Sequence, residues 1–219
     1  MYDELKKRCC AVCHRLAQKL TVAEGEVCDS LRDDATGVYA VQNPRTAPGM
    51  LTEGDVWIVD EQGAVLEGEP GAVSTFVVHR VIYEGCSAVR MVVESRCRWS
   101  GVWAQLGRSL PPTSFLHARY FSGELPSTGS VVPQPGESVY EAVAGQVKSA
   151  FKNRGIPPRG GVFLRNDGVL LWGENPEATA ERVAVVEDLC LRAVMTAAVN
   201  EGADGYVARE VTAQLLEKE

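Results

Sequence analysis

Apolar residues at helical spacing mark both ends of the chain. Near the start, the residues that share one helical face are Leu5, Cys9, Val12, Cys13, Leu16 and Leu20. This stripe predicts a first helix from about residue 3 to residue 20. Near the end, apolar residues recur at intervals of three and four after Asn175 and Pro176. Because proline is favoured at the first helical position, this segment is predicted to be a long amphipathic helix.

The middle of the chain alternates shorter extended and helical patterns. Apolar runs bounded by Gly, Pro or Asp predict strands at residues 37–41, 56–60, 89–93, 162–164 and 169–172. The predicted helices are a segment ending at Gly85, residues 98–106 and residues 138–152. The tripeptide at residues 166–168, Asn-Asp-Gly, predicts a turn between the last two strands.

Two other segments complete the organisation of the chain. Residues 109–135 are rich in Pro, Ser and Thr and are predicted to form a loop, with one apolar island at 115–125. Residues 206–219 are charged and are predicted to form a terminal helix or tail. Because the sequence contains neither an internal repeat nor a low-complexity linker, residues 1–219 are predicted to form one α/β domain.

Composition and charge narrow the range of partners. The chain has 219 residues, 45% of them hydrophobic, with a formal net charge of -7. This excess of acidic over basic residues argues against a nucleic-acid partner, since nonspecific binding to phosphates depends on clustered Lys and Arg. The sequence contains neither an apolar run of about 20 residues nor the apolar stretch of a signal peptide. We therefore expect no membrane association and a cytoplasmic location.

The seven cysteines are interpreted as reduced thiols, because their positions are irregular and no secretion signal accompanies them. The run of residues 10–14, Cys-Ala-Val-Cys-His, matches the spacing that attaches a c-type haem. Cys9 and Cys13, however, lie on the apolar stripe of the first helix and are interpreted as small core residues. We expect no cofactor here.

Four ordered runs of sequence resemble the class II aldolase/adducin family, which includes fuculose-phosphate aldolase and ribulose-phosphate 4-epimerase. They are LTEGDVWIVDEQGAVLEGEPGAVSTFVVHRVIYEG, VRMVVESRCRWSGVWAQLGRSLPP, HARYFSGELP and VFLRNDGVLLWGENPEATAERVAVVEDL. The resemblance covers the chain from the first helix to about residue 197. It implies an α/β/α sandwich with a mostly antiparallel central sheet, assembled as a C4 homotetramer with active sites between subunits.

The resemblance also implies a zinc-dependent reaction in which the metal polarises a sugar phosphate while a C–C bond breaks. Family members hold zinc with a His-x-His pair and a third histidine in an Asn-His-Gly turn. In this sequence the pair falls on Glu94 and Arg96, and the third position falls on Asp167. None of these residues is histidine, so we expect no zinc ligation of the family type.

Other functional positions of the family also differ. The acid/base glutamate falls on Thr75, whose hydroxyl does not titrate near neutral pH. Two phosphate-binding segments fall on residues 25–26 and 43–46, and the first of them carries a carboxylate that would repel phosphate. The aspartate that follows His-Ala in epimerases is replaced by Arg119. Because of these changes, we do not expect this chain to catalyse the family's usual reaction.

Three interpretations of the Glu94, Arg96 and Asp167 positions stay open. The guanidinium can pair with both carboxylates and replace the metal as a structural ion pair. The same groups can form a polar pocket for a small ligand. Alternatively, the two carboxylates can hold Mg²⁺ or Ca²⁺, although Arg96 would oppose a cation.

Several further residues are candidates for binding or catalysis. His117 is a candidate general base because histidine titrates near neutral pH, and a packing role is its alternative. His79, within a predicted helix, is interpreted as a packed residue. Candidate substrate-binding residues are Arg45, Ser74, Thr75, Arg119 and Tyr206. The arginines suit an anionic ligand, and the resemblance implies a C-terminal tyrosine near the site.

Three functions are compatible with the sequence. The first is a non-catalytic scaffold, regulatory subunit or binder of a small polar or anionic molecule. The second is a repurposed enzyme, with lyase or isomerase chemistry on a small carbonyl or carboxylate compound, in which His117, Arg96, Glu94 and Asp167 are catalytic. The third is an aldolase or epimerase whose zinc ligands are rearranged.

Overall fold

The computed structural model describes residues 1–20, 27–69, 74–121 and 123–199. The helices in these ranges are α1 (Asp3–Lys19), α2 (Phe76–Gly85), α3 (Arg98–Leu106), α4 (Phe115–Tyr120), α5 (Val139–Phe151) and α6 (Pro176–Val199). The strands are β1 (Val27–Arg32), β2 (Tyr39–Gln42), β3 (Val56–Val59), β4 (Val65–Glu67), β5 (Met91–Ser95), β6 (Gly160–Leu164) and β7 (Gly168–Gly173). Short 3-10 turns at Pro48–Met50 and Glu53–Asp55 precede β3.

The strands form one sheet in the order β4-β3-β2-β1-β5-β7-β6. Each neighbouring pair is antiparallel. The strands β1 and β5 lie in the middle, and the residue pairs Cys28 with Glu94 and Asp29 with Val93 are directly opposite each other. Because side chains alternate along a strand, Cys28 and Glu94 project from one face of the sheet, and Asp29 and Val93 from the other.

Helices cover both faces of this sheet. Met91 and Val93 belong to a buried apolar core that also includes residues of α1, α3 and α6. Val92, between them, belongs to a second core that contains residues of α2 and α5. This alternation places a helical layer on each side of the sheet, which confirms the α/β/α sandwich and its antiparallel sheet.

Most predicted elements are confirmed with small shifts at their ends. The first helix ends at Lys19, one residue early, and the helix at 98–106 matches α3. In α5, Ser138 caps the first turn through its side chain, and Glu141 completes the capping box. The turn before β7 has Asn166 at φ 64°, a left-handed conformation that asparagine tolerates.

Three elements were not predicted. The strand β1 carries polar residues on both faces, and β4 is three residues long, so neither produces a clear apolar pattern. The predicted loop at 109–135 contains α4, whose first turn is capped by the side chain of Ser114. Predicted features at residues 25–26 and 206–219 lie outside the described residues.

The first helix contributes a row of buried thiols to the core. Cys9 and Cys13 are at most 1% exposed, and Cys10 is also buried. They belong to the core that contains α1 and α6, which confirms their interpretation as core residues. Among the described helices, none is long and apolar enough to cross a membrane.

Candidate functional site

The best-defined polar cluster lies where the end of β5 meets the turn between β6 and β7. Glu94 is the fourth residue of β5, and Arg96 directly follows the strand. Asp167 lies in the turn, next to Gly168, which pairs with the edge strand β6. A Cβ atom at Gly168 would collide with the carbonyl oxygen of Ser95, so glycine lets the turn approach the end of β5 closely. This approach brings Asp167 to Arg96.

Arg96 bridges the two carboxylates of the cluster. Its Nε donates to Asp167 Oδ1 at 2.6 Å, and its Nη2 donates to Asp167 Oδ2 at 3.1 Å. The same Nη2 atom donates to Glu94 Oε1. A guanidinium that binds a carboxylate through two parallel bonds is held in a defined orientation. Glu94, Arg96 and Asp167 therefore form one ion-paired cluster.

The cluster runs from solvent into the protein interior. The side chains of Asp167 and Arg96 are 36% and 31% exposed, whereas that of Glu94 is 2% exposed. Burial raises the pKa of Glu94 from 4.5 to about 7, although the positive charge of Arg96 lowers it. The negative charge of Asp167 adds to the increase. Glu94 can therefore gain or lose a proton near neutral pH.

A second polar group lies behind Glu94, between β1 and α2. His79 is fully buried, and its Nδ1 is 2.8 Å from Ser30 Oγ. Tyr83 donates its hydroxyl to the carbonyl oxygen of Ser30 at 2.8 Å and lies 3.0 Å from Ser30 Oγ. Burial and, to a smaller extent, the charge of Arg96 lower the pKa of His79 to about 3, so the imidazole is neutral.

His79 and Glu94 face each other without a hydrogen bond. His79 Nε2 lies 3.9 Å from Glu94 Oε2. Both atoms are buried and have no hydrogen-bond partner among the described residues. A buried polar atom without a partner costs free energy, so this pair of atoms is a place where a proton, a water molecule or a ligand group would be stabilised.

Thr75 and Cys28 lie at the edge of the same polar region. Their Oγ1 and Sγ atoms are 3.7 Å apart, and both residues are buried. Cys28 is the strand partner of Glu94, and burial together with the negative charge of Glu94 raises the pKa of its thiol. Cys28 is therefore a neutral thiol and not a nucleophilic thiolate. Ser74, the neighbour of Thr75, is exposed.

The remaining candidates have other contacts. His117, in α4, is fully buried. Its Nε2 atom is 2.7 Å from the carbonyl oxygen of Gly123, and its ring packs edge-on against Phe121. Burial lowers its pKa. Arg119 is exposed and lies over the ring of Tyr120 at 6.0 Å, and Arg45 is exposed in a turn. Tyr206 lies outside the described residues.

Sequence reasoning missed Ser30, Tyr83 and the position of His79 relative to Glu94. Ser30 and Cys28 are two residues apart on β1, and this period-two pattern is a signal that they share a face with each other. It becomes informative only when β1 is recognised and paired with β5. No sequence signal identifies Tyr83 as a partner of Ser30.

The chain matches a protein-family model over most of its length. The matching family is described as Class II Aldolase and Adducin N-terminal domain, and the match covers residues 7–194. A similar protein is L-ribulose-5-phosphate 4-epimerase UlaF from Salmonella paratyphi A, which is 24% identical over 171 residues. That alignment covers 78% of this chain and 75% of the epimerase.

Solved structures share the fold at low sequence identity. An L-fuculose 1-phosphate aldolase superposes with a TM-score of 0.79 at 18% identity, covering 97% of this chain and 94% of the aldolase. YgbL from Klebsiella pneumoniae, described as a putative aldolase/epimerase/decarboxylase, gives a TM-score of 0.73 at 17% identity. This match covers 98% of this chain and 96% of YgbL. These structural matches concern the fold.

Proposed function

This chain belongs to the class II aldolase and adducin family, and we propose that it is a metal-independent, non-catalytic member that binds a small polar molecule or a protein partner. The observation that carries the proposal is the position of Arg96 between Glu94 and Asp167. These three residues occupy the positions that the family resemblance assigns to zinc ligands.

The residues of this cluster do not fit a bound divalent metal. A zinc site needs several lone pairs that converge on one point, supplied by imidazole, thiolate or carboxylate groups. Here both oxygens of Asp167 and one oxygen of Glu94 accept bonds from Arg96. The guanidinium has no lone pair to donate and its positive charge repels a cation, which also argues against Mg²⁺ or Ca²⁺.

The acid/base position is also unsuited to the reactions of the relatives. Thr75 stands at the position that the resemblance assigns to a catalytic glutamate, and its hydroxyl lies against the thiol of Cys28. Neither group ionises near neutral pH, so neither can move a proton at the rate that an acid/base glutamate provides. The proposal therefore includes the loss of both aldol cleavage and epimerisation.

A retained homo-oligomer is part of the same proposal. The resemblance implies a tetramer, in which the partly exposed Arg96 and Asp167 would lie near a subunit boundary. Such a boundary offers a place for a small anionic ligand or a partner surface, since the outer side of this cluster remains in contact with solvent. Light scattering on the purified protein tests this part, and a monomer would contradict it.

A substrate assay tests the loss of activity directly. We expect no epimerisation of L-ribulose 5-phosphate and no cleavage of L-fuculose 1-phosphate, with or without added Zn²⁺, when products are followed by chromatography. A metal-dependent activity that Asp167→Asn abolishes and the exposed control Glu84→Gln retains would overturn the proposal.

A second candidate function is a metal-free lyase or isomerase acting on a small carbonyl or carboxylate compound. The observation that favours it is that Glu94 Oε2 and His79 Nε2 face each other with no hydrogen-bond partner within the described ranges, and that the pKa of Glu94 is about 7. A compound that raises the melting temperature and is converted by the protein, with turnover but not binding lost in Glu94→Gln, would favour this function over the first.

A further inference from the structure

A second buried cluster lies on the opposite face of the sheet from Glu94, beneath the first helix. Cys9 and Cys13 are one helical turn apart on α1 and point toward β1 and β2. Asp29 projects toward them from β1, and Gln42 from β2. None of these four side chains is more than 1% exposed. The cluster is thus separate from the Glu94, Arg96 and Asp167 site.

The donor atoms of this cluster converge. The sulfur atoms of Cys9 and Cys13 and one carboxylate oxygen of Asp29 all lie within 4.8 Å of one another. Cys13 Sγ is 3.0 Å from Asp29 Oδ2 and 4.0 Å from Gln42 Oε1. Gln42 Nε2 donates a hydrogen bond to the carbonyl oxygen of Thr46 at 3.0 Å. This bond orients the side chain so that Gln42 Oε1 faces the thiols.

Asp29 supplies an independent indication that a cation belongs here. It is 1% exposed, and its Oδ1 atom has no hydrogen-bond partner in the part of the chain that the structure describes. In residues 1–20, 27–69, 74–121 and 123–199, no ion pair includes Asp29. Buried carboxylates are generally paired with a cation, bound to a metal or protonated. Asp29 contacts thiols instead, and thiols become metal ligands when they lose their protons.

We propose that Cys9, Cys13 and Asp29 bind a thiophilic divalent cation of the Zn²⁺ class, with the side-chain oxygen of Gln42 as the fourth ligand. A tetrahedral zinc ion with bonds of about 2.3 Å to sulfur separates two sulfur ligands by about 3.8 Å. The donor atoms of Cys9, Cys13 and Asp29 lie within 4.8 Å of one another, and the oxygen of Gln42 is 4.0 Å from Cys13 Sγ, so shifts of about 1 Å bring these donors to ligand distance. Two thiolates select zinc over Mg²⁺ or Ca²⁺.

The chemistry of this site is structural. Its four donors complete a tetrahedron, which leaves no open position for a substrate. Binding would release the thiol protons and join α1 to β1 and β2, so the bound ion would stabilise the folded chain. This inference does not depend on the proposed function, because the two sites share no residue and lie on different faces of the sheet.

Loading with Co²⁺ and Zn²⁺ tests the site. We would treat the reduced protein with a chelator, reload it with Co²⁺ and record its absorption spectrum. We expect one Co²⁺ per chain, a thiolate-to-cobalt charge-transfer band and tetrahedral d–d bands. With Zn²⁺ we expect one ion per chain by elemental analysis and a rise of several degrees in melting temperature. A wild-type protein without charge transfer or metal retention would overturn the inference.

A matched cysteine variant separates this site from other thiols. Cys13→Ala should lower metal affinity at least tenfold and remove the zinc-dependent rise in melting temperature. Cys190→Ala, which removes a fully buried core thiol of α6, should leave both unchanged. Equal metal binding by both variants would overturn the assignment.

Asp29→Asn provides a second test that does not depend on the folding of Cys13→Ala. This variant keeps the shape of the side chain and removes its charge, so it should bind Co²⁺ at least tenfold more weakly while the thiolate-to-cobalt band persists at high metal concentration. Unchanged affinity would exclude Asp29 as a ligand and contradict the proposal.

Discussion

Glu94 and Asp29 are buried carboxylates on opposite faces of the same pair of strands, but only Glu94 contacts a cationic side chain among the described residues. Burial raises the pKa of both groups, to about 7 for Glu94 and about 6 for Asp29. In Glu94 the effect of burial outweighs that of the Arg96 charge, and the negative charge of Asp167 adds to the increase.

The two faces of the sheet compensate for a buried carboxylate in different ways. On the α2 face, a partly exposed Arg96 brings compensating charge inward from the surface. On the α1 face, the donors are thiols, which remain neutral unless a metal displaces their protons. In the first arrangement the guanidinium of Arg96 opposes a cation, whereas the site proposed in the second would bind one.

The largest expected effect comes from removing the cation of the α2 face. Arg96→Ala leaves Glu94 buried beside Asp167 without a compensating charge. At pH 9, where Glu94 is ionised in the wild type, we expect the free energy of unfolding to fall by about 3 to 4 kcal/mol. Urea denaturation measures this change. The exposed control Arg45→Ala should change it by less than about 0.5 kcal/mol. Equal effects of the two variants would show that the Arg96 pairs contribute little.

A pH series sharpens the comparison by isolating Glu94. Because the folded pKa of about 7 exceeds the usual 4.5, the folded protein binds this proton more tightly than the unfolded chain. The contribution of Glu94 to stability is therefore fully present below pH 4.5 and is lost as the pH rises through about 7. Buried His79, with its pKa lowered to about 3, contributes with the opposite sign between pH 3 and 6.5.

The measurement is therefore the difference in unfolding free energy between wild type and Glu94→Gln. We expect this difference to fall by about 2 to 3 kcal/mol between pH 4.5 and pH 7, since His79 is present in both proteins. The exposed substitution Glu84→Gln, measured in the same series, is the matched carboxyl control. If the difference between wild type and Glu94→Gln does not vary with pH, Glu94 has the same pKa in the folded and unfolded protein, and the prediction is wrong.

The smallest expected effect concerns the α1 face and has the opposite sign. In metal-free protein at pH 8, Asp29→Asn removes a buried charge, and we expect the free energy of unfolding to rise by about 1 kcal/mol. Thermal denaturation in the presence of a chelator measures it, and Asp34→Asn, an exposed substitution, serves as the control. A loss of stability comparable to that of Arg96→Ala would show that the Asp29 charge has a compensating partner.

Hydrophobic periodicity was sufficient to predict an α/β domain and most of its elements, because helical stripes and apolar runs report directly on which faces are buried. The α/β/α sandwich was implied by the family resemblance. The sequence also placed Glu94, Arg96 and Asp167 together, through the resemblance of the Glu-Ser-Arg and Asn-Asp-Gly segments to the family's ligand positions. Periodicity did not predict β1, which has polar residues on both faces, or β4, which is three residues long. It also missed α4, which lies in a segment rich in Pro, Ser and Thr.

The partners of the polar groups depend on tertiary contacts. Ser30, His79 and Glu94 come from three separate elements, and their contacts depend on the register of β1 with β5 and on the packing of α2. The approach of Asp29 and Gln42 to the thiols of α1 likewise depends on which strand faces lie under that helix. Local sequence determines periodicity, but the distances that set charge, protonation and ligand geometry arise between residues far apart in the chain.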